Sequence, residues 1–229
     1  MSTALTAALA VPDPAASPAT RFTRIGRIGA AATLVIGATC QVLAFALAPN
    51  YTKTIDRLQW IADNPTRAEI SKLFDVLAMP FLVGGVVVYL LLSRTRTPRL
   101  AWFGALVLGC GLIGLSMSQG YETLEFRLAT DGLVDLATLA HAVDNLSTAP
   151  EVAMGILFLA GVLIGILATI AALWRSRAVP RGAVALMLVF VVLDVPLQRP
   201  LTAHVIALLA AAWIAWSILS APQREPVVL

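Results

Sequence analysis

The chain has 229 residues, of which 59% are hydrophobic and only 13% charged, with a formal net charge of +3 and a mean hydropathy of +0.86. A soluble domain is usually about half apolar and about a quarter charged, so this composition excludes an ordinary soluble fold and points to membrane spans joined by short connections. The positive charge implies no nucleic-acid partner, because the basic residues stand at the edges of apolar segments, where lipid headgroups and insertion polarity account for them.

Residues 1–20 are rich in Ala, Pro, Ser and Thr, with no Lys or Arg before the weakly apolar run Ala4–Val11. That is a poor secretory signal, and the segment is expected to be a disordered cytoplasmic tail. Arg21, Arg24 and Arg27 then stand against the first apolar run. Crossing a bilayer takes about 20 apolar residues. Six candidates follow: Ile28–Ala48, Leu73–Leu92, Leu100–Gln119, Val152–Trp174, Gly182–Leu197 and Leu201–Leu219. The fifth is short and carries Asp194 near its end. Pro196 and Pro200 leave open a tilted or re-entrant hairpin with the sixth. The expected fold is an all-α, polytopic transmembrane bundle of six spans over residues 21–220, followed by a cytoplasmic tail at 221–229. Cys40 and Cys110 fall within apolar runs and are expected to be small buried hydrophobes rather than a disulfide.

Charge sets the expected orientation. Ten basic residues fall on the side of the short Arg-rich linkers and six on the other, and eleven of the 13 acidic residues avoid the first side. The positive-inside rule then puts both termini in the cytoplasm. Trp102, Trp174 and Trp216 fall at the inner interface, and Tyr51 and Tyr121 at the outer ends of spans one and three, as an aromatic belt would place them. Two inner linkers echo each other, Ser93-Arg94-Thr95-Arg96-Thr97-Pro98-Arg99 and Trp174-Arg175-Ser176-Arg177-Ala178-Val179-Pro180-Arg181. The echo suggests a two-span hairpin repeated in the same orientation, although selection for inner arginines alone also produces such linkers.

Two outer segments are too long for plain connections. Within Tyr51–Ser71, Ile55, Leu58 and Ile61 form a stripe of helical spacing, so an amphipathic helix is expected there. Asn64 and Pro65 read as the cap and first residue of the next helix, with a capping box at Thr66 and Glu69 as the alternative. Within Gly120–Ala149, Leu133, Leu136, Ala140 and Val143 share a face and predict a helical cap. Thr148 and Glu151 have capping-box spacing. This segment also holds the densest polar cluster, with Glu122, Glu125, His141 and Asp144. The two glutamates are expected to form a solvated face. His141, Asp144 and His204 carry metal-compatible donors but lack a ligand motif, so no metal, haem or other cofactor is expected.

Ionisable residues within spans are costly and point to function. Asp75, Asp194 and His204, with Arg199 beside them, could line one outward-facing vestibule. The competing arrangement neutralises each acid locally, Asp75 by Lys72 and Asp194 by Arg199. Gly104, Gly109, Gly111 and Gly114, together with Gly161 and Gly165, are small-residue patterns that allow close helix approach and are not phosphate loops.

The stretches Asn64-Pro65-Thr66-Arg67 leading into Leu73-Phe74-Asp75, and Leu173–Arg181, resemble those of uncharacterised small multi-span bacterial integral membrane proteins of a domain-of-unknown-function type. The resemblance covers most of the spans and contributes no catalytic residue. The expected function is therefore that of a non-enzymatic accessory, sensory or partner-binding bundle in the cytoplasmic membrane. Its partners would be the lipid bilayer and either itself or another membrane protein. The alternatives are a small transporter or permease with an acidic vestibule, and a membrane enzyme acting on a lipid through Asp75, Asp194 and His204.

Overall fold

Proline and short polar side chains set most of the helix starts. The computed structural model describes residues 22–145, 148–197 and 200–221. Its helices are α1 (Arg24–Leu47), α2 (Thr54–Asp63), α3 (Pro65–Ser93), α4 (Pro98–Thr130), α5 (Leu136–Asp144), α6 (Ala149–Ser176), α7 (Arg181–Asp194) and α8 (Pro200–Leu219), and no strand occurs among the described residues. Thr23 caps α1 by accepting from the Gly26 amide at 3.1 Å. Thr148 and Glu151 close the expected capping box of α6. Asn64 occupies the cap position of α3, but its side chain donates back to the Trp60 carbonyl instead. Both expected tails and the Gln198–Arg199 pair lie outside the described residues, apart from Ala221.

Five helices (α1, α3, α4, α6 and α8) are long and apolar enough to cross a membrane. The helix α7 has 14 residues and falls short of that length. Consecutive long helices pack as hairpins, α1 on α3 and α4 on α6; the shorter α7 packs on α8, and α1 also packs along α8, so the order around the bundle is α8, α1, α3, α4, α6, α7. The two echoing linkers meet at one end. Arg96 Nη1 donates to the Ser176 carbonyl at 2.7 Å, and Thr97 Oγ1 to the Ala172 carbonyl at 3.3 Å. An apolar core fills this arginine-linker end, with Leu92, Leu173, Ile214 and Ile218 fully buried.

The closest helix approach is between α4 and α6. A β-carbon added at Gly111 would lie 2.6 Å from the Gly161 carbonyl carbon, one at Gly114 would lie 2.7 Å from the Phe158 nitrogen, and one at Gly165 would lie 2.5 Å from the Leu108 α-carbon. Only hydrogen fits at these three positions. Gly109, on the same helix, faces open space.

At the opposite end two details of the expected helical cap need correction: where span three ends and which residues form the apolar face. Gly120–Ala149 is largely helix, because α4 continues unbroken to Thr130 before Gly132 turns the chain with φ of 64°. Leu133 then sits in the turn, 80% exposed, and the apolar face of α5 runs instead through Leu136, Leu139, Ala140 and Val143. That face meets Ala129 of α4 and the Ile55, Leu58 and Ile61 stripe of α2, forming a second small core around the fully buried Leu58.

Candidate functional site

A polar network joins three long helices at the α2–α5 end. Lys72 and Asp75 are three residues apart on α3, and Gln119 and Glu122 are three apart on α4, so each pair shares a helix face. Gln41 projects from α1. The Gln41 carboxamide donates to one Asp75 oxygen at 3.3 Å, and the Gln119 carboxamide donates to the other at 3.4 Å. The Lys72 ammonium donates to the Gln119 amide oxygen and to the Glu122 carboxylate. The polarity is consistent throughout, since Gln119 accepts from Lys72 through oxygen while donating to Asp75 through nitrogen.

The arrangement leaves a specific residue of charge. Lys72 pairs with Glu122, and Arg57 of α2 pairs with Glu125. Among the described residues, Asp75 accepts only from carboxamides. In their ordinary ionised forms these groups carry one net negative charge, and that charge is centred on Asp75.

A cavity of about 230 Å³ opens beside this network, lined by Lys72, Asp75, Glu122, Arg57, Tyr51 and Trp60 among others. It is smaller than the roughly 300 Å³ at which pockets for drug-sized ligands begin. The Tyr51 and Trp60 rings, with centroids 6.1 Å apart, form its aromatic wall, and Arg67 stands 6.0 Å over Trp60. Burial pushes the Tyr51 phenol above its ordinary range; nearby Arg67 opposes that shift and Asp56 adds to it. Tyr51 therefore enters the wall as a neutral hydroxyl.

Glu125 is not part of a solvated face. It is 4% exposed, and its carboxylate meets Arg57 across the α2–α4 contact. His141 and Asp144 both lie exposed on α5 with separate partners. The His141 ring contacts the Asn145 carboxamide at 3.0 Å, and Asp144 accepts from the Thr54 hydroxyl at 2.5 Å.

Asp194 and His204 do come together, at the α7–α8 turn, with Oδ1 3.9 Å from Nδ1. That is too long for a hydrogen bond. The same nitrogen donates to the Pro200 carbonyl at 2.8 Å. The imidazole is held by Phe45, with centroids 4.3 Å apart, and by the edge of Phe190 at 5.3 Å. This group and the Asp75 network both touch α1, which packs against α3 and α8. Gln41 reaches Asp75, while Phe45, one turn on, reaches His204. Arg199 lies outside the described residues.

Sequence reasoning missed Gln41, Gln119 and Arg57 as partners. Their only signal was polarity on faces that periodicity assigned to spans or loops. Comparisons with protein-family models, with curated proteins and with solved structures find no match to this chain.

Proposed function

We propose that this is a six-span protein of the cytoplasmic membrane, with both termini inside, that binds a small cation in an outward-facing chamber and acts as a sensory or partner-binding bundle. The observation that carries the reading is Asp75, a carboxylate beside a cavity whose two lining cations, Lys72 and Arg57, are paired with Glu122 and Glu125. An aromatic wall beside a carboxylate suits an organic ammonium or guanidinium group. The cavity is too small for a lipid, which counts against a lipid-modifying enzyme. Pro80, little more than one turn beyond Asp75, removes a backbone hydrogen bond within α3 and is what favours a transporter. The core around Leu92, Leu173 and Ile214 fills the opposite end of the bundle, and this favours binding over passage.

In this reading α7 is the sixth crossing. Its 14 residues span about 21 Å, and a short span is accommodated by local thinning of the bilayer. The helices α2 and α5 are the amphipathic helices of the outer face.

Thermal unfolding in nanodiscs with tetramethylammonium, guanidinium or sodium as probe tests the chamber. At a hundredfold excess over Kd, one probe should raise the Tm of the native protein by roughly 5 °C or more, and Asp75→Asn should abolish the rise. A native protein that none of the three stabilises, or an Asn variant that responds equally, would overturn the reading.

Orientation is tested by thiol labelling after Cys40 and Cys110 are replaced. A cysteine at the exposed Leu133 should react in intact cells, and one at Thr95 only after permeabilisation. The opposite pattern would invert the topology.

A further inference from the structure

A second cavity lies at the arginine-linker end, on the side of the bundle where α6 and α7 meet. It measures about 470 Å³ and is lined by Leu167, Ile170, Ala171, Trp174 and Arg175 of α6 and by Val184, Ala185 and Leu188 of α7. The α6 residues recur at helical spacing and form a single stripe. The apolar part of the groove ends at two guanidinium groups: Arg175 lines the mouth, and Arg181 stands 5.5 Å over the Trp174 ring. Among the described residues, no carboxylate lines the groove.

We propose that this groove is a specific site for one anionic phospholipid, with its phosphate at Arg175 and Arg181 and an acyl chain along Leu167, Ala171, Ala185 and Leu188. Three observations select that occupant. The groove is lined by apolar side chains along its length and is cationic only at its mouth, which matches a phospholipid's own division of chemistry. From Leu167 to Arg175 it runs about 12 Å at the helical rise, less than half of a hydrocarbon core about 30 Å thick, so it takes chains from one leaflet. Guanidinium groups bind phosphate oxygens in bidentate fashion, and basic pockets between membrane helices are suited to anionic headgroups. The shallow Ala171 and Ala185 leave the width that a chain needs. This site is independent of the Asp75 chamber.

The test is native mass spectrometry of the full chain released from nanodiscs of equal phosphatidylglycerol and phosphatidylethanolamine. The expected result is one retained phosphatidylglycerol per chain. Replacing both arginines (Arg175→Gln with Arg181→Gln) should lower its retention roughly tenfold, and Ala185→Phe, which blocks the groove and leaves the arginines in place, should lower it as well. Inorganic phosphate should not displace the adduct. Equal retention of phosphatidylethanolamine, an adduct unchanged by both variants, displacement by phosphate, or a chain dimer that occupies the face in place of lipid would each overturn the proposal.

Discussion

Leucine at Gly111 is expected to unfold the bundle, while leucine at Gly109, two residues away, is expected to leave it folded. The difference lies in what each new side chain meets. At Gly111 the obstacle is the backbone of α6 around Gly161 and Val162. Backbone cannot swing aside as a side chain does, so α4 and α6 must separate along the most extensive helix contact in the protein. Overpacking that side chains can absorb costs about 1–3 kcal/mol, and this site should exceed that range. A loss of about 3 kcal/mol corresponds to a fall in Tm of roughly 10 °C for a chain of this size. At Gly109 nothing lies within 4 Å of the added carbon, and leucine there enters the lipid-facing surface. Thermal melting of both variants in one detergent, followed by tryptophan fluorescence, gives the comparison. Similar melting temperatures would show that the α4–α6 approach is looser than described.

Replacing Arg57 alone should cost more than replacing Arg57 and Glu125 together. The Glu125 side chain is 6% exposed and that of Arg57 is 34% exposed. An exposed ion pair contributes about 0–1 kcal/mol, whereas stranding a buried charge costs about 3–5 kcal/mol. Arg57→Met leaves the Glu125 carboxylate inside the α2–α4 contact without its cation. Arg57→Met with Glu125→Met removes both charges, and such apolar replacements of buried pairs are often close to neutral. The double-mutant cycle should therefore be strongly non-additive. The loss should be local as well, with faster amide exchange across α2 and α5 around Leu58 and Leu139. If the single variant loses less than about 1 kcal/mol, the pair behaves as a surface contact.

Both predictions rest on features that the sequence revealed unequally. The glycine pattern was legible, because small residues at helical spacing within an apolar run have few other uses, although only the packing separates Gly111 from Gly109. The starts of α3 and α6 were legible from Asn64-Pro65 and from Thr148 with Glu151, since caps and prolines act locally. The continuation of α4 to Thr130 was not, because a helix that leaves the lipid exchanges apolar residues for polar ones and then resembles a loop in composition. The length of α7 was misread for the opposite reason: Val195 and Leu197 extend the apolar run after the helix has ended at Asp194.

The candidate site shows the same division. Asp75 stood out because an acid within a span is costly. Its partners did not, since Gln41 and Gln119 come from helices far away in the chain, and the direction in which Lys72 turns is decided by Glu122 on another helix. Asp194 and His204 were legible as neighbours from the tight turn between their helices. Nothing in the sequence showed that both groups would touch α1, through Gln41 and Phe45.

The meeting of the first and last long helices bears on how the molecule is made. The hairpins α1–α3 and α4–α6 involve helices close in sequence and can pair while synthesis continues. The contact of α1 with α8, where Arg27 donates to the Ala221 carbonyl, has to wait until α8 has been made. Until then one flank of α1 is without its partner, so a chain interrupted before α8 presents an open seam to the chaperones and proteases that survey membrane insertion, and the arrival of α8 closes it.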